Sequence, residues 1–258
     1  MINYIKELFK RKELIKYLVI FDISEEHRGK IFGFAWSLLD PLIMMFVYIL
    51  FVGVIFKRGT PKYPILLLSA LLSWQWITNS LSTAVTSVTA NAKLIQTFKF
   101  PIAVFPFTRA ISGFIDYIFG LVILIPLLIA YEANLNLNIL WFPFLILIQL
   151  TLTVGLCFLV AYLGVYFRDI RNILQYLLRI CFFLSPVLYA INDRIPVCYQ
   201  PLYMLNPFAA LFESYKNILV RGKFPSGYLA YTLLFSISIF IIGLYIFVKH
   251  EEKFAKDI

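Results

Sequence analysis

The sequence predicts an all-α membrane protein with six membrane-spanning helices. Of its 258 residues, 61% are hydrophobic and only 14% are charged, and the mean hydropathy is +0.85. Apolar runs of about 20 residues recur along the chain, which is the length that a helix needs to cross a hydrocarbon core. The runs do not alternate apolar and polar residues as the strands of a membrane β-barrel do. The composition therefore excludes a soluble domain, and the pattern indicates helices.

Short polar breaks separate six apolar stretches. Gly-Thr-Pro-Lys at 59–62 ends the first stretch, and "EANLNLN" at 132–138 separates the third from the fourth. No low-complexity linker and no convincing internal repeat interrupts the chain, which indicates a single domain over residues 1–258. The predicted spans are 34–56, 64–88, 103–130, 139–166, 173–191 and 228–248.

Residues 1–33 predict an amphipathic helix that lies in the membrane interface. Lysine and arginine are too frequent here for the apolar region of a signal peptide. The apolar residues share one helical face and the basic residues lie elsewhere, as in helices that lie along a membrane surface. An ordinary solvated helix is the alternative. The apolar face comprises Ile5, Leu8, Phe9, Ile15, Leu18 and Val19.

The distribution of Lys and Arg predicts that both termini are cytoplasmic. With the N-terminus inside, the inner segments contain 16 of the 23 Lys and Arg residues. Seven lie before residue 35, three in 93–109, three in 168–179 and three after residue 248. Cytoplasmic loops of membrane proteins carry the excess of positive residues. Because the basic residues are spread among loops, they suit anionic lipid or pyrophosphate, and no nucleic-acid partner is expected.

The segment "NAKLIQTFKFP" at 91–101 is a short, basic, amphipathic piece on the inner side, between the second and third spans. Leu94, Ile95 and Phe98 have helical spacing, and lysines flank them. The segment is too short to cross a membrane. Two interpretations fit: a helix that turns the chain at the interface, or an apolar face that inserts into a groove of a cytoplasmic partner.

Residues 192–225 predict short re-entrant or interfacial helices on the outer face. Asn206-Pro207 is a helix start, with a capping side chain followed by a proline in the first turn. Gly222 is a suitable stop. The helix between them is too short to span the membrane and too apolar for a free loop.

The second half of the second span carries a polar stripe that includes Asn79, Thr83 and Thr86. Small hydroxyl residues let membrane helices pack closely, which is the first interpretation. A stripe that faces a conduit for a hydroxyl-rich substrate is the second.

Ionisable residues inside a membrane are rare, and each is a candidate functional group. Arg109, Asp116 and Arg179 lie in predicted spans. A partner on another helix, or a position near the end of a span, accounts for the two arginines. Asp116 is the least explained of the three.

The sequence contains no catalytic or metal-binding motif. It has no G-x-x-x-x-G-K-[ST] phosphate loop and no H-E-x-x-H. Cys157, Cys181 and Cys198 lack the spacing of metal ligands. We therefore expect a chain without catalytic residues, metal or cofactor of its own, so that any uphill transport draws its energy from a partner.

Five motifs follow one another along nearly the whole chain. They are "HRGKIFGFAWSLLDPLIMMFVYILFVGVIF", "LIQTFKFPIAVFP", "VYFRDIRNILQYLLRICFFLSPVLY", "LNPFAALFESYKNIL" and the charged tail "KHEEKFAKDI". Each alone is weak, but their order resembles the permease subunit of ABC-2-type exporters for polysaccharides and polyol phosphates, the O-antigen and teichoic-acid class.

This resemblance implies a homodimer of six-span subunits in the bacterial inner membrane, paired with a separate ABC ATPase that binds ATP and Mg. The implied cargo is an undecaprenyl-pyrophosphate-linked glycan. Segment 91–101 falls where the family keeps its coupling helix, which sits in a cleft of the ATPase. The implied coupling residues are Lys93, Leu94, Ile95, Phe98 and Lys99.

The resemblance also assigns residues along the path of the cargo. A lipid pyrophosphate would be met at Arg28 and Lys30, where the interfacial helix joins the first span. The helix at 207–221 would cap the exit, with Phe208, Phe212 and Tyr215 as gate residues. Aromatic rings offer sugars stacking faces that do not trap a moving polymer. The conduit-facing candidates are Tyr48, Trp74 and Trp76, for which packing between helices is the equal alternative, and the stripe residues Asn79, Thr83 and Thr86, for which packing is the first interpretation.

Two other functions stay open at this point. An ABC-2 permease for a smaller lipid or drug would share the coupling helix but not export a glycan. A non-transport membrane factor in envelope biosynthesis would need no ATPase, and its 91–101 segment would tolerate polar substitutions.

Overall fold

The structure, a computed structural model, describes residues 2–55, 60–98, 100–167, 169–191 and 195–257. Within these ranges all regular structure is helical, which confirms the predicted class. The helices are α1 (Ile2–Lys10), α2 (Lys12–His27), α3 (Trp36–Ile49), α4 (Tyr63–Ala84), α5 (Ala92–Thr97), α6 (Val104–Ala130), α7 (Phe142–Tyr166), α8 (Ile170–Leu184), α9 (Pro207–Lys216) and α10 (Leu229–Asp257).

Shorter helical segments extend or join these helices. A π-helical segment, Leu50–Ile55, continues α3, and another, Asn217–Arg221, continues α9. The remaining short elements are a one-turn helix at Gln200–Tyr203 and 3₁₀ turns at Gly33–Ala35, Thr89–Asn91, Leu137–Trp141 and Val197–Tyr199.

Four stretches of the described chain are long and apolar enough to cross a membrane. They are Trp36–Gly53, Val104–Ala130, Leu137–Tyr166 and Leu229–Phe254, and they correspond to the predicted first, third, fourth and sixth spans. The helices of the other two predicted spans fall outside this set. Polar residues such as Gln75 and Asn79 lower the hydropathy of α4, and α8 has only 15 residues.

The N-terminal region differs from the single helix predicted for residues 1–33. It forms two helices with a break at Arg11, and α2 ends at His27. Leu8, Leu18 and Val19 of the predicted apolar face are buried against the bundle, so this face packs on protein. The opposite side of α2 is also apolar and exposes Tyr17 among others, which is compatible with a location at the membrane interface.

The centre of the bundle is α4, which packs against α6 and α7, while α7 packs along α10. Glycines permit the closest approach of α7 and α10. A Cβ on Gly155 would lie 2.7 Å from the backbone nitrogen of Phe240. Small residues of this kind let membrane helices approach each other and gain van der Waals contacts.

The two ends of the bundle are held by different contacts. At the end that carries α5, the Ala103 N–H donates to the Tyr4 hydroxyl at 3.4 Å, and the Ile102 N–H donates to the Glu251 carboxylate. Both chain termini therefore meet the start of α6. At the other end, Lys62 donates to the Glu132 carbonyl at 2.7 Å.

Candidate functional site

A groove of about 740 Å³ opens between α3, α4 and α8, with α6 behind it. Tyr48 of α3 and Trp74, Trp76 and Asn79 of α4 all line it. The structure thus brings four of the six predicted conduit residues to one cavity. Its size is typical of sites that hold a sizeable ligand.

One wall of the groove is a chain of aromatic rings that reaches α9. The Phe182 ring lies 5.6 Å from Tyr48 and 5.8 Å from Trp74, measured between ring centroids. Trp74 in turn lies 6.0 Å from Phe208 and 6.1 Å from Phe212 of α9. These distances are those of favourable aromatic pairs. Two of the three predicted gate residues therefore contact Trp74, a predicted conduit residue.

The groove also has a polar and charged lining. Gln75 of α4 and Gln175 of α8 contribute amides, and Asp40, Asp116 and Arg179 contribute charges. Sequence reasoning singled out Asp116 and Arg179 as charges within predicted spans, with Asp116 the least explained, but did not place them beside the conduit candidates. Amides and charges beside aromatic rings give a wall that both stacks against a polar ligand and hydrogen-bonds it.

Trp76 is only 1% exposed and has a second role in helix packing. Its indole N–H donates to the Ala110 carbonyl of α6 at 3.1 Å. Its ring stacks on Tyr117, with 5.2 Å between centroids, and lies 5.1 Å from Phe114. A buried tryptophan N–H needs such a partner, so Trp76 mainly fastens α4 to α6.

The predicted residues Thr83 and Thr86 do not line the groove. The Thr83 hydroxyl donates to the Asn79 carbonyl of its own helix at 2.8 Å. The Thr86 hydroxyl donates to the Thr83 carbonyl at 3.5 Å. Backbone-bonded hydroxyls of this kind satisfy themselves within the helix. Asn79 and Thr83 are exposed, so their side chains are not buried between helices of this chain, and of the three stripe residues Asn79 lines the groove.

Helix α9 begins and ends where the sequence predicts. The Asn206 side chain caps it by accepting from the Phe208 N–H at 3.0 Å, Pro207 occupies the first turn, and Gly222 ends the π-helical extension at φ +63°. A left-handed residue at this position favours glycine. Of the predicted gate residues, Phe208 is half-buried, while Phe212 and Tyr215 are fully buried against the rest of the chain.

Lys216, at the C-terminal end of α9, is a residue that sequence reasoning missed. Its side chain is 1% exposed, and its ammonium donates to the carbonyls of Pro186, Val187 and Tyr189, the last at 2.8 Å. Burial lowers the pKa of Lys216 to about 7. The contact fastens α9 to the turn after α8. The sequence did contain a signal for this residue, because Lys216 is a cation within the largely apolar run "FAALFESYKNIL".

The predicted coupling segment is shorter than 91–101, since α5 spans only Ala92–Thr97. Leu94 and Phe98 are 41% and 59% exposed, and Lys93 is exposed. Ile95 points the other way and is buried in the core, with α5 packed on α10. The prediction that these three apolar residues form one gripped face is therefore corrected to Leu94 and Phe98. Lys99 lies outside the described residues.

The two residues predicted to meet a lipid pyrophosphate lie just after α2. Arg28 follows the last residue of α2 and is exposed, and Lys30 is exposed and lines the groove. Ile31 and Phe32 come next and are 95% and 58% exposed. Cationic and apolar side chains side by side suit a membrane surface.

Arg109 has a structural partner, as one interpretation of the sequence proposed. Its guanidinium lies 3.1 Å from the Asp22 carboxylate of α2, which is largely buried. The pair fastens the N-terminal helices to α6. Nearby, burial and the Glu251 carboxylate raise the pKa of Tyr4, so its hydroxyl stays protonated.

The described chain is an all-helical bundle with four candidate spans, a polar and aromatic groove beside them, and the short helix α5, an arrangement that is compatible with a membrane transport protein. The sequence model of the ABC-2 type transporter family matches residues 15–220. The chain therefore belongs to this family, which confirms the resemblance drawn from its motifs.

Several relatives match most or all of the chain. The O-antigen export system permease protein RfbA of Myxococcus xanthus is 29% identical over the full length of both chains. The protein of the same name from Klebsiella pneumoniae is 26% identical over 91% of each chain. The polysialic acid transport protein KpsM of Escherichia coli is 24% identical over 85% of this chain and 86% of its own length.

Proposed function

We propose that this chain is the transmembrane subunit of an ABC transporter that exports a lipid-linked polysaccharide, of O-antigen or teichoic-acid type, across the bacterial cytoplasmic membrane. A separate ATPase subunit, which binds ATP and Mg, drives transport. The similarity to O-antigen export permeases along the whole chain carries this proposal. The groove supplies a physical basis for the cargo class.

The groove suits a hydroxyl-rich polymer that must keep moving. The rings of Tyr48, Trp74 and Phe182 offer stacking faces, and Gln75 and Asn79 offer hydrogen bonds. Conduction requires sites that bind weakly and repeatedly. A wall of rings, with amides and the charged side chains of Asp40, Asp116 and Arg179 spread along it, supplies many separate contacts for such a polymer.

The proposed assembly is a homodimer in which a second copy closes the groove. The groove is open along its side, and only 6% of the Trp36–Gly53 stretch beside it is buried within the chain. Exposed apolar side chains on α3, among them Phe46 and Val47, are available for a second copy or for membrane lipid.

The proposed topology has six spans, with α4 and α8 as the second and fifth and both termini in the cytoplasm. The polar residues of α4 are compatible with a span because α4 is enclosed by α6 and α7 rather than by lipid. The excess of Lys and Arg in the inner segments supports this orientation. Helix α9 is then a short re-entrant helix at the outer face.

The cytoplasmic end has two proposed contacts. Arg28 and Lys30 meet the pyrophosphate of the lipid carrier, and Lys30 leads it toward the groove that it lines. Leu94 and Phe98, with Lys93 beside them, insert into the ATPase. Ile95 attaches α5 to the rest of the bundle, because its side chain is buried in the core. Pushing on α5 therefore moves α10, on which it packs.

The proposal is tested by co-purification of the ATPase from membranes. We expect the wild-type chain to retain an ATP-binding-cassette protein and the double variant Leu94→Asp/Phe98→Asp to lose it, because two charges cannot enter an apolar cleft. The matched control is Gln96→Asp/Thr97→Asp, which adds the same charge to exposed positions of the same helix. An ATPase that stays bound to the first variant would contradict the assigned face. Absence of any ATPase from the wild type would overturn the proposed function.

A further inference from the structure

A second pocket, of about 450 Å³, lies at the end of the bundle opposite α5 and shares no lining residue with the groove. It borders α9 and its π-helical extension. Its charged residues are Glu213, Arg221 and Lys223, and its apolar residues include Leu66 and Met204. Nothing in the proposed transport path uses this pocket.

One oxygen of the Glu213 carboxylate has no hydrogen-bond donor among the described residues. The side chain is buried, at 5% exposure, and its Oε1 accepts from Arg221 Nη1. Its Oε2 has no hydrogen-bond partner among the residues that the structure describes. A buried carboxylate oxygen without a donor is costly. A ligand with an N–H or O–H group would relieve this cost.

Lys216, the neighbouring cation on α9, does not serve this oxygen. An ammonium has three donor protons, and Lys216 directs its ammonium at the three carbonyls of Pro186, Val187 and Tyr189. The hydrogens of this amine are therefore directed at the turn after α8 and not at Glu213, whose Oε2 is buried at the border of the pocket.

Two cations in the same pocket have donors to spare. Arg221 uses only Nη1 for protein acceptors within the described ranges, namely Glu213 and, at 2.9 Å, Asn217. Lys223 is exposed, and its ammonium has no acceptor among the described residues. The pocket thus presents two cations suited to an anion beside a carboxylate oxygen that requires a donor.

The surroundings place the pocket at the depth of lipid headgroups. Phe224, next to Lys223, is 62% exposed and lies 5.1 Å from the Trp141 ring. Exposed aromatic rings, tryptophan above all, mark the boundary between hydrocarbon and water. Leu66 and Met204 give the pocket an apolar side that suits the glycerol and upper acyl chains.

We propose that this pocket binds a phosphatidylethanolamine headgroup, with the phosphate on Arg221 and Lys223 and the primary ammonium donating to Glu213 Oε2. The proposal goes beyond export, and its test needs neither ATPase nor glycan. It predicts discrimination between headgroups. Phosphatidylcholine carries the same charges, but its quaternary ammonium has no N–H to donate.

The test is native mass spectrometry of the delipidated full-length protein with phosphatidylethanolamine or phosphatidylcholine of identical acyl chains. We expect the wild type to bind the ethanolamine lipid about tenfold more tightly, as one charged hydrogen bond implies. Glu213→Gln should remove this preference. Lys223→Gln should weaken binding of both lipids equally. The control Glu252→Gln, an exposed glutamate at the opposite end, should change neither.

Three results with the intact lipids would overturn the proposal: equal binding of both lipids by the wild type, a preference that survives in Glu213→Gln, or lipid binding unaffected by Lys223→Gln. The last variant keeps the test decisive if Glu213→Gln fails to fold, because the Lys223 side chain has no partner among the described residues to lose. Binding of soluble glycerophosphoethanolamine is measured as well, to distinguish recognition of the membrane lipid from recognition of its headgroup alone. If it binds as tightly as the lipid, the assignment to a membrane lipid is wrong.

Discussion

Helices α3 and α4 follow each other in the chain, and their composition and burial run in opposite directions. The apolar α3 has one buried residue, Pro41, whereas 14 of the 22 residues of α4 are buried, including Ser69, Ser73 and Ser80. The helix that hydropathy marks as a span is thus the exposed one. The hydropathy of a helix measures how well it tolerates contact with lipid. Its burial inside a membrane bundle depends on how closely the neighbouring helices can approach it.

Two of the buried serines of α4, Ser69 and Ser73, are compatible with burial because their hydroxyls donate to backbone carbonyls of their own helix. The Ser73 hydroxyl donates to the Ser69 carbonyl at 3.2 Å. The Gln149 amide of α7 donates to the Ser73 carbonyl at 2.9 Å. Small side chains keep α6 close as well, since a Cβ on Gly113 would meet Trp76 Cδ1 at 3.0 Å. Helix α3 is more exposed, and its Tyr48 ring packs on Phe182 of α8.

The largest expected effect comes from crowding the α4 side of the bundle. Gly164 of α7 lies against the carbonyl of Val85, just after α4, and a Cβ there would collide with that oxygen. Because a backbone group cannot rotate away, Gly164→Ala should destabilise the fold by at least about 1–3 kcal/mol. Thermal unfolding in detergent measures the loss.

The matched control lies at the end of the α3 stretch. Gly53→Ala adds the same methyl group where, among the described residues, no atom beyond its chain neighbours and its own helix backbone lies within 4 Å. Its unfolding temperature should equal that of the wild type or slightly exceed it, because alanine favours helix over glycine. Equal losses in the two variants would show that the contrast in packing between α3 and α4 is wrong.

An intermediate effect is expected from the two tryptophans of α4. Trp76→Phe removes the hydrogen bond to the Ala110 carbonyl and should cost about 1 kcal/mol or somewhat more. Trp74→Phe keeps an aromatic ring beside Phe182, Phe208 and Phe212 and should cost less. The comparison of the two unfolding temperatures checks the order, and the reverse order would assign the packing role to Trp74.

The smallest effect on the subunit is expected on α3. Phe46 is 61% exposed, so Phe46→Ala should change the stability of the isolated subunit by no more than about 0.5 kcal/mol. Unfolding of the monomeric form in detergent isolates this quantity from any effect on association. A loss as large as that of a core phenylalanine, about 3–5 kcal/mol, would mean that α3 packs within its own chain.

Local signals in the sequence were accurate wherever a few neighbouring residues set the structure. Asn206, Pro207 and Gly222 delimit α9 and its extension as expected, because capping, a fixed proline φ and a left-handed glycine act within one turn. The segment 91–101 is a short helix for similar reasons. Its exposed face was only partly predicted, since helical spacing groups Ile95 with Leu94 and Phe98 and cannot tell which of them meets the core.

The sequence alone determined the class of protein, the helical secondary structure and the family, because these depend on composition, on the length of apolar runs and on the order of motifs. The tertiary structure decided which side chains meet. It placed Asp116 and Arg179 beside Tyr48 and Trp74 in one groove, and it surrounded the Lys216 ammonium with carbonyls of the turn after α8. Such contacts join residues far apart in the chain, and they form only when several helices pack at once, so no local pattern encodes them.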